Sequence, residues 1–140
     1  MAKADAEAFA KAAEALIGTP FRLHGRNPAS GLDCIGLVYA SLVAVGAKPL
    51  VPRGYQLRNT SIAQWLNHAE LSGFAKAGGP ITRGDVILIQ PSPFQHHLLI
   101  AANASCAVHA HAGLRKVALE PLPADMVMCA HWRLARTTQG

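Results

Sequence analysis

Charge is the first thing this chain lacks. Only 15% of its 140 residues are charged, and acids are the scarcer sign, 8 Asp and Glu against 13 Lys and Arg, for a net charge of +5. Three of the acids, Asp5, Glu7 and Glu14, fall within the first fourteen residues, so the remainder is more basic than the total suggests. That excess favours an anionic partner. Aromatics are also few, at 6%, and no Lys/Arg cluster interleaves with them as a nucleic-acid face would require, so nucleic acid is not expected as a partner. Three cysteines with no C-x-x-C spacing exclude a disulfide framework and a zinc ribbon, and point to a reducing compartment. No apolar run approaches the roughly 18 residues of a membrane-spanning helix, so no membrane insertion is expected. The first eighteen residues carry charges throughout and lack an apolar core, which predicts synthesis in the cytoplasm without a signal peptide.

What is present is an ordinary globular composition, 51% apolar, in a length that suits one domain with a real core. Residues 1–136 read as that domain and 137–140 as a polar tail. Asp5 to Ile17 is Ala-rich, with Phe9, Ala13, Leu16 and Ile17 on one stripe before Gly18, and reads as an amphipathic helix. Pro20 to Leu32 reads as irregular. Asp33 is a good N-cap for an apolar-periodic helix to about Val45, with Gly46 following. Lys48 to Asn59 is a loop, and Ser61 to Gln64 is a capping box opening a short helix to about Leu71. Strands follow: Val86 to Ile89, His97 to Ala102, Ala107 to His111, Leu114 to Leu119 and Met128 to Leu134, with loops at Pro91 to Gln95 and Pro121 to Asp125. Short breaks make the strands antiparallel neighbours. Helices first and a strand meander afterwards is an α+β plan, with the N-terminal helices packed on an antiparallel β-sheet.

The chemistry gathers around TPFRLHGRNPASGLDCIGLVYASL, Thr19 to Leu42. Cys34 opens the second helix, where the positive end of the macrodipole favours thiolate over thiol. Such a cysteine is a candidate nucleophile if a histidine reaches it. Seven histidines are available: His24, His68, His96, His97, His109, His111 and His131. On a strand, His97 shares a face with Leu99 and Ala101, and His109 shares one with His111. If those strands are neighbours and the Cys34 helix packs across them, thiol, base and orienting group come from three elements. Cys106 and Cys129 read as packing residues, and His68 and His131 as surface or satisfied core histidines. Trp65 and Trp132 read as core or partner contacts, and Arg22 and Arg26 as solvated loop charges that could meet a substrate carboxylate.

Three stretches in order, GTPFRLHGRNPASGLDCIGLV, GDVILIQ followed by HLLIA, and AVHA, resemble the linked motifs of NlpC/P60 cysteine peptidases. The matches run from about Gly18 to Ala110. The D-C-Ile-G-L core, with Arg26 after Gly25, looks most like the branch found in phage tails and gene transfer agents. The resemblance implies a papain-like fold and a peptidase acting on the stem peptides of bacterial peptidoglycan, often beside D-isoglutamyl or diaminopimelyl residues. It implies Cys34 as nucleophile, His97 as base, His109 as the residue that holds the His97 ring, and the Cys34 N–H as oxyanion donor, with no cofactor. Phe21, His24, Asp33 and His111 would line the substrate pocket. Tail-hub or tail-tip proteins of a phage-like particle would be partners, and assembly into such a tail the destination.

The chain departs from the family pattern at two positions: Phe21 replaces a tyrosine, and Ile35 replaces the serine after the cysteine. His97 is preferred to His96 because the apolar continuation starts there, and His109 to His111 on the A-V-H-A match. Two other readings stand beside the peptidase. One is a structural tail protein on the same fold that hydrolyses nothing. The other is a zinc hydrolase built on His97, His109 and His111, for which no acidic residue accompanies the histidines, Asp85 being the nearest in sequence. No metal is expected.

Overall fold

The computed structural model describes residues 5–47, 73–92 and 95–134. Helix α1 (Ala6–Ala15) begins where the Asp5 carboxylate accepts from the Ala8 N–H at 2.8 Å, and it buries Phe9, Ala10 and Ala13. Its early acids have a definite task. Arg83 lies 2.6 Å from Glu7 through Nε and 2.6 Å from Glu14 through Nη2, and donates to the Ala102 carbonyl at 3.1 Å. The hydrogen bond from Arg83 holds the Glu14 carboxyl below its ordinary value. One guanidinium thereby ties α1 to the turn after a sheet strand.

The stretch before Asp33, expected to be irregular, contains a small hairpin of β1 (Arg26–Asn27) and β2 (Gly31–Leu32). Its turn is closed by Asn27, whose side-chain oxygen accepts from Ala29 N–H at 3.0 Å. Two-residue strands are too short to leave an alternation in the sequence. Helix α2 (Cys34–Ala44) follows, with Cys34, Ile35, Gly36, Leu37, Ala40, Ser41 and Leu42 all buried, as suits a central helix.

The main sheet comprises β3 (Phe74–Lys76), β4 (Val86–Ser92), β5 (Gln95–Ala101), β6 (Cys106–His111), β7 (Lys116–Pro121) and β8 (Met128–Leu134). Its order is β3-β8-β4-β5-β6-β7, and every neighbouring pair is antiparallel. The α+β plan and the antiparallel meander are therefore as expected. Several boundaries differ: β5 begins at Gln95, two residues before the expected start and within the expected loop, and β6 begins one residue early at Cys106. β4 runs on through Pro91 and Ser92, because a register shift after Ile89 lets the proline sit in the strand without a ladder bond. β7 starts at Lys116 and reaches Pro121, because the tight turn before it, with Arg115 at φ 60°, takes up residues assigned to the strand. β3 was not anticipated, being three residues long. The expected loop at Lys48 to Asn59, the helix from Ser61 to Leu71, His68, Trp65 and the tail at 137–140 lie outside the described residues.

Each sheet face has its own apolar cluster. On one face, Leu98, Ile100, Val108, Ala110 and Val117 pack with Phe9, Leu37 and Leu42 of the helices and with Trp132. On the other, Ile87, Ile89, Leu99, Ala101 and Ala107 meet Ile81, Leu122 and Met126. Asp85, at the head of β4, is fully buried. It accepts from His131 Nε2 at 2.6 Å, from Arg133 Nε at 2.8 Å and Nη2 at 3.0 Å, and from Thr82 N–H at 2.9 Å. Burial pushes this carboxyl up, but the bonds from Arg133, Thr82 and His131 outweigh it and leave the group below its ordinary value. Asp85 and His131 thus lock β4 to β8; His131 is a satisfied core histidine, and Asp85 is committed away from the other imidazoles.

Candidate active site

Asp33 organises the approach to Cys34. One carboxylate oxygen caps α2 by accepting from Gly36 N–H at 2.8 Å, and the other accepts from His24 N–H at 2.7 Å. The second bond holds His24 at φ 63°, a conformation rare for a residue with a side chain. Gly25 presses its carbonyl onto the first turn of α2, so closely that a Cβ added to Gly36 would stand 1.7 Å from Gly25 O. Glycine at both positions lets the loop lie flat on the helix start.

The Cys34 sulfur is buried, its residue only 1% exposed. The expected shift toward thiolate is not found: burial, then the Asp33 charge, pushes the thiol up to about 12. The N–H groups of Leu98, Ile35 and Cys34 itself do favour the thiolate, as the helix start should, but desolvation is larger. Cys34 shares its apolar cluster with Leu98 and Ile100 of β5. Ala101 of β5 donates to Asp85 on the β4 side and Ala102 to Cys106 on the β6 side. Even-numbered amides of β5 therefore face β6. Pairing of β5 with β6 ends at Ile100 and Val108. Past that point the ladder stops, and the Leu98 N–H is one of the backbone groups that favour charge on the sulfur.

The imidazoles lie on the other face of the sheet. His97 shares a recess of about 300 Å³ with Leu99, Ala107 and Ile89, together with His109, His111 and Glu120. His97 Nε2 lies 2.9 Å from His109 Nδ1, and His109 Nε2 lies 2.6 Å from Glu120 Oε1. Desolvation, reinforced by His109 and His111, pushes His97 down to about 3, so it is neutral at neutral pH. Burial also lowers His109, partly offset by Glu120. Among the described residues no hydrogen bond joins Cys34 Sγ to an imidazole, and His97 Nδ1 is left without a partner.

The structure thus brings His97 and His109 together on one face of the sheet, and packs Cys34 with Leu98 and Ile100 of β5 on the other. His96 is buried, and alternation puts it on the helix face with Leu98. His111 stands 3.6 Å from Glu120 through Nε2 and takes the Leu114 N–H on Nδ1 at 3.0 Å. Phe21 packs against the core below the loop, its N–H bonded to the Arg115 carbonyl. His24 is exposed and lines a separate open recess with Arg22 and Arg26.

Glu120 is the residue that sequence reading missed, and it corrects the statement that no acid accompanies the histidines. The cross-strand pairs Ala107–Glu120 and His109–Ala118 put it on the imidazole face. A strand ending at Leu119 stops one residue short of it. Because His97 and His109 point nitrogens at each other and His109 and His111 share one carboxylate, the rings do not converge on a common point. Among the described residues no three His, Cys, Asp or Glu side chains are grouped to hold a metal ion.

No protein-family model and no curated protein matches the chain. Solved structures do match. NlpC1 from Trichomonas vaginalis superposes with a TM-score of 0.69 at 17% identity, over 96% of this chain and 46% of that one. The NlpC/p60 domain of the peptidoglycan hydrolase SagA gives 0.60 at 21% identity, over 94% of this chain and 99% of the domain. The P60 domain of antigen MAP1204 from M. avium subspecies paratuberculosis gives 0.59 at 21%, covering 95% and 96%. The chain spans about half the length of NlpC1 and of NlpC2 from the same organism. Two helices on an antiparallel sheet, with a cysteine opening the central helix, are the NlpC/P60 fold.

Proposed function

We propose that this chain is a cysteine peptidase that cuts peptide bonds in the stem peptides of bacterial peptidoglycan. The observation that carries it is the Glu120–His109–His97 relay, whose last member precedes Leu98, a residue in the same apolar cluster as the cysteine that opens α2. The carboxylate can only accept, so His109 donates from Nε2 and accepts on Nδ1. His97 must then donate from Nε2, which leaves the lone pair of Nδ1 free as a base. In the first half-reaction His97 Nδ1 takes the thiol proton as the sulfur attacks the scissile carbonyl. The Cys34 N–H donates to the oxyanion, and the proton passes to the departing amine. Water then hydrolyses the thioester with His97 again as base. The sulfur is closed off in the free protein, so substrate must open the seam as it binds. The likeness to a domain of a peptidoglycan hydrolase supports the choice of substrate.

The wording of the first motif, Arg26 after Gly25 and a D-C-Ile-G-L core, supports a finer reading, a tail-tip component of a phage-like particle assembled from the cytoplasm. A second reading, a structural tail protein without hydrolysis, is favoured by Phe21 in place of tyrosine and by the sealed sulfur. Mass spectrometry of muropeptides after incubation with purified protein separates the two. Hydrolysis gives new stem-peptide fragments that disappear with Cys34→Ala; no fragments, or fragments unchanged in the variant, would overturn the peptidase.

A further inference from the structure

We propose that the open recess between the 22–30 loop and α2 is a carboxylate-recognition site for the substrate peptide; this rests on the peptidase reading and deepens it. The recess, about 830 Å³, is lined by Arg22, His24, Arg26, Asn27, Ser30 and Tyr39, and by no acidic side chain. Arg22 and Arg26 are exposed, and among the described residues neither guanidinium has a hydrogen bond or ion pair. That sets them apart from Arg83 and Arg133, each of which is bound to carboxylates of the fold itself. A guanidinium presents a planar fork that matches a carboxylate with two parallel bonds, so an arginine pair in one recess has the chemistry of an anion receptor.

The loop is fastened to its surroundings through its backbone. Asn27 closes the turn, the His24 amide is fastened to Asp33, and Gly25 is wedged against Gly36. The backbone that carries both arginines is therefore tied to the start of the helix that carries Cys34. The substrate class supplies the matching group. A peptide that continues through the γ-carboxyl of an isoglutamyl residue leaves the α-carboxylate free on the main chain, close to the bonds being cut. The recess accordingly selects stem peptides with that α-carboxylate free over those in which it is amidated.

The test uses two synthetic peptides, L-Ala-γ-D-Glu-meso-diaminopimelate with the glutamyl α-carboxylate free and the same peptide α-amidated. The wild type is expected to show at least a roughly tenfold higher kcat/KM on the free acid, carried mostly by KM. The double variant Arg22→Gln/Arg26→Gln should bring the two peptides to the same value. Lys76→Gln, which removes a remote exposed charge on β3, should leave the preference intact. Equal handling by the wild type, a preference that survives in the double variant, or an equal loss in Lys76→Gln would each overturn the proposal. A catalysis-free arm separates it from the peptidase reading: NMR titration of Cys34→Ala protein with each peptide, following the arginine Nε–H signals. Tighter binding of the free acid there, with neither peptide cut by the wild type, would sink the peptidase reading and uphold the site.

Discussion

Replacing Glu120 tests the relay at the point where its direction is set. With the carboxylate in place, the opposite proton arrangement would turn the His109 Nε2 lone pair onto an oxygen 2.6 Å away. That arrangement forfeits a charge-assisted hydrogen bond, worth about 1.5–3 kcal/mol. At 1.36 kcal/mol per factor of ten, the productive arrangement is favoured by roughly 10- to 150-fold. Glu120→Ala removes the bias, lets His97 carry its proton on Nδ1, and releases the His109 ring. The expected loss in kcat is about 10- to 100-fold, the range seen when a partner behind a working histidine is removed, with KM within about twofold. Glu120→Gln retains an acceptor oxygen and should recover part of the rate. The assay that a merely structural role would not move is nitrogen NMR of the imidazoles. The wild type should show His97 and His109 protonated on Nε2, and Glu120→Ala a mixture at His97. The residue is partly exposed on β7, so loss of the fold does not confound the reading. A wild-type His97 protonated on Nδ1, or an unchanged kcat in Glu120→Ala, would refute the argument.

Two further outcomes follow from the same geometry. Gly36→Ala places a methyl 1.7 Å from the Gly25 carbonyl oxygen, and since both are backbone-fixed it should destabilise the protein by at least about 2 kcal/mol in urea unfolding; stability within about 0.5 kcal/mol of wild type would show that the loop does not rest on the helix. With its thiol pushed up to about 12 and its residue 1% exposed, Cys34 should react with iodoacetamide more slowly than the half-buried Cys106 and Cys129, and its rate should keep rising with pH past 10. Peptide mapping that finds Cys34 labelled first near neutral pH would contradict the closed neutral state.

The elements visible in the sequence are those whose side chains repeat for long enough. Phe9 and Ala13 on α1, Leu37 and Leu42 on α2, and the apolar runs of β4 and β5 gave the α+β plan. The motif order also gave the cysteine at the helix start and the two histidines that now share a hydrogen bond. What escaped was short or relational. β1 and β2 have two residues each, held by Asn27 and by backbone contacts rather than by pattern. Glu120 becomes significant only through the register of β6 against β7, which a strand boundary misplaced by two residues concealed. The end of pairing at Ile100 and Val108 leaves no mark in either strand. The behaviour of Cys34 was misjudged for a different reason: the helix start does favour thiolate, but the depth of burial that overrides it is a property of the packed molecule.

That override decides how a cysteine in this position could act. A preformed thiolate–imidazolium pair needs a thiol that gives up its proton more readily than the imidazole does. Here the order is reversed, about 12 against about 3. The dominant cause is the same for both groups: burial penalises the charged form of each. A peptide carbonyl entering the seam would separate the sulfur from hydrocarbon and bring polar atoms and water toward His97, relieving both penalties at once. The N–H groups of Leu98, Ile35 and Cys34 already face the sulfur and would stabilise charge there as soon as it develops. On the peptidase reading, proton transfer to His97 Nδ1 then belongs to the act of attack rather than to the resting protein. On that reading the burial that holds the thiol protonated is what a peptide must relieve before Cys34 can attack.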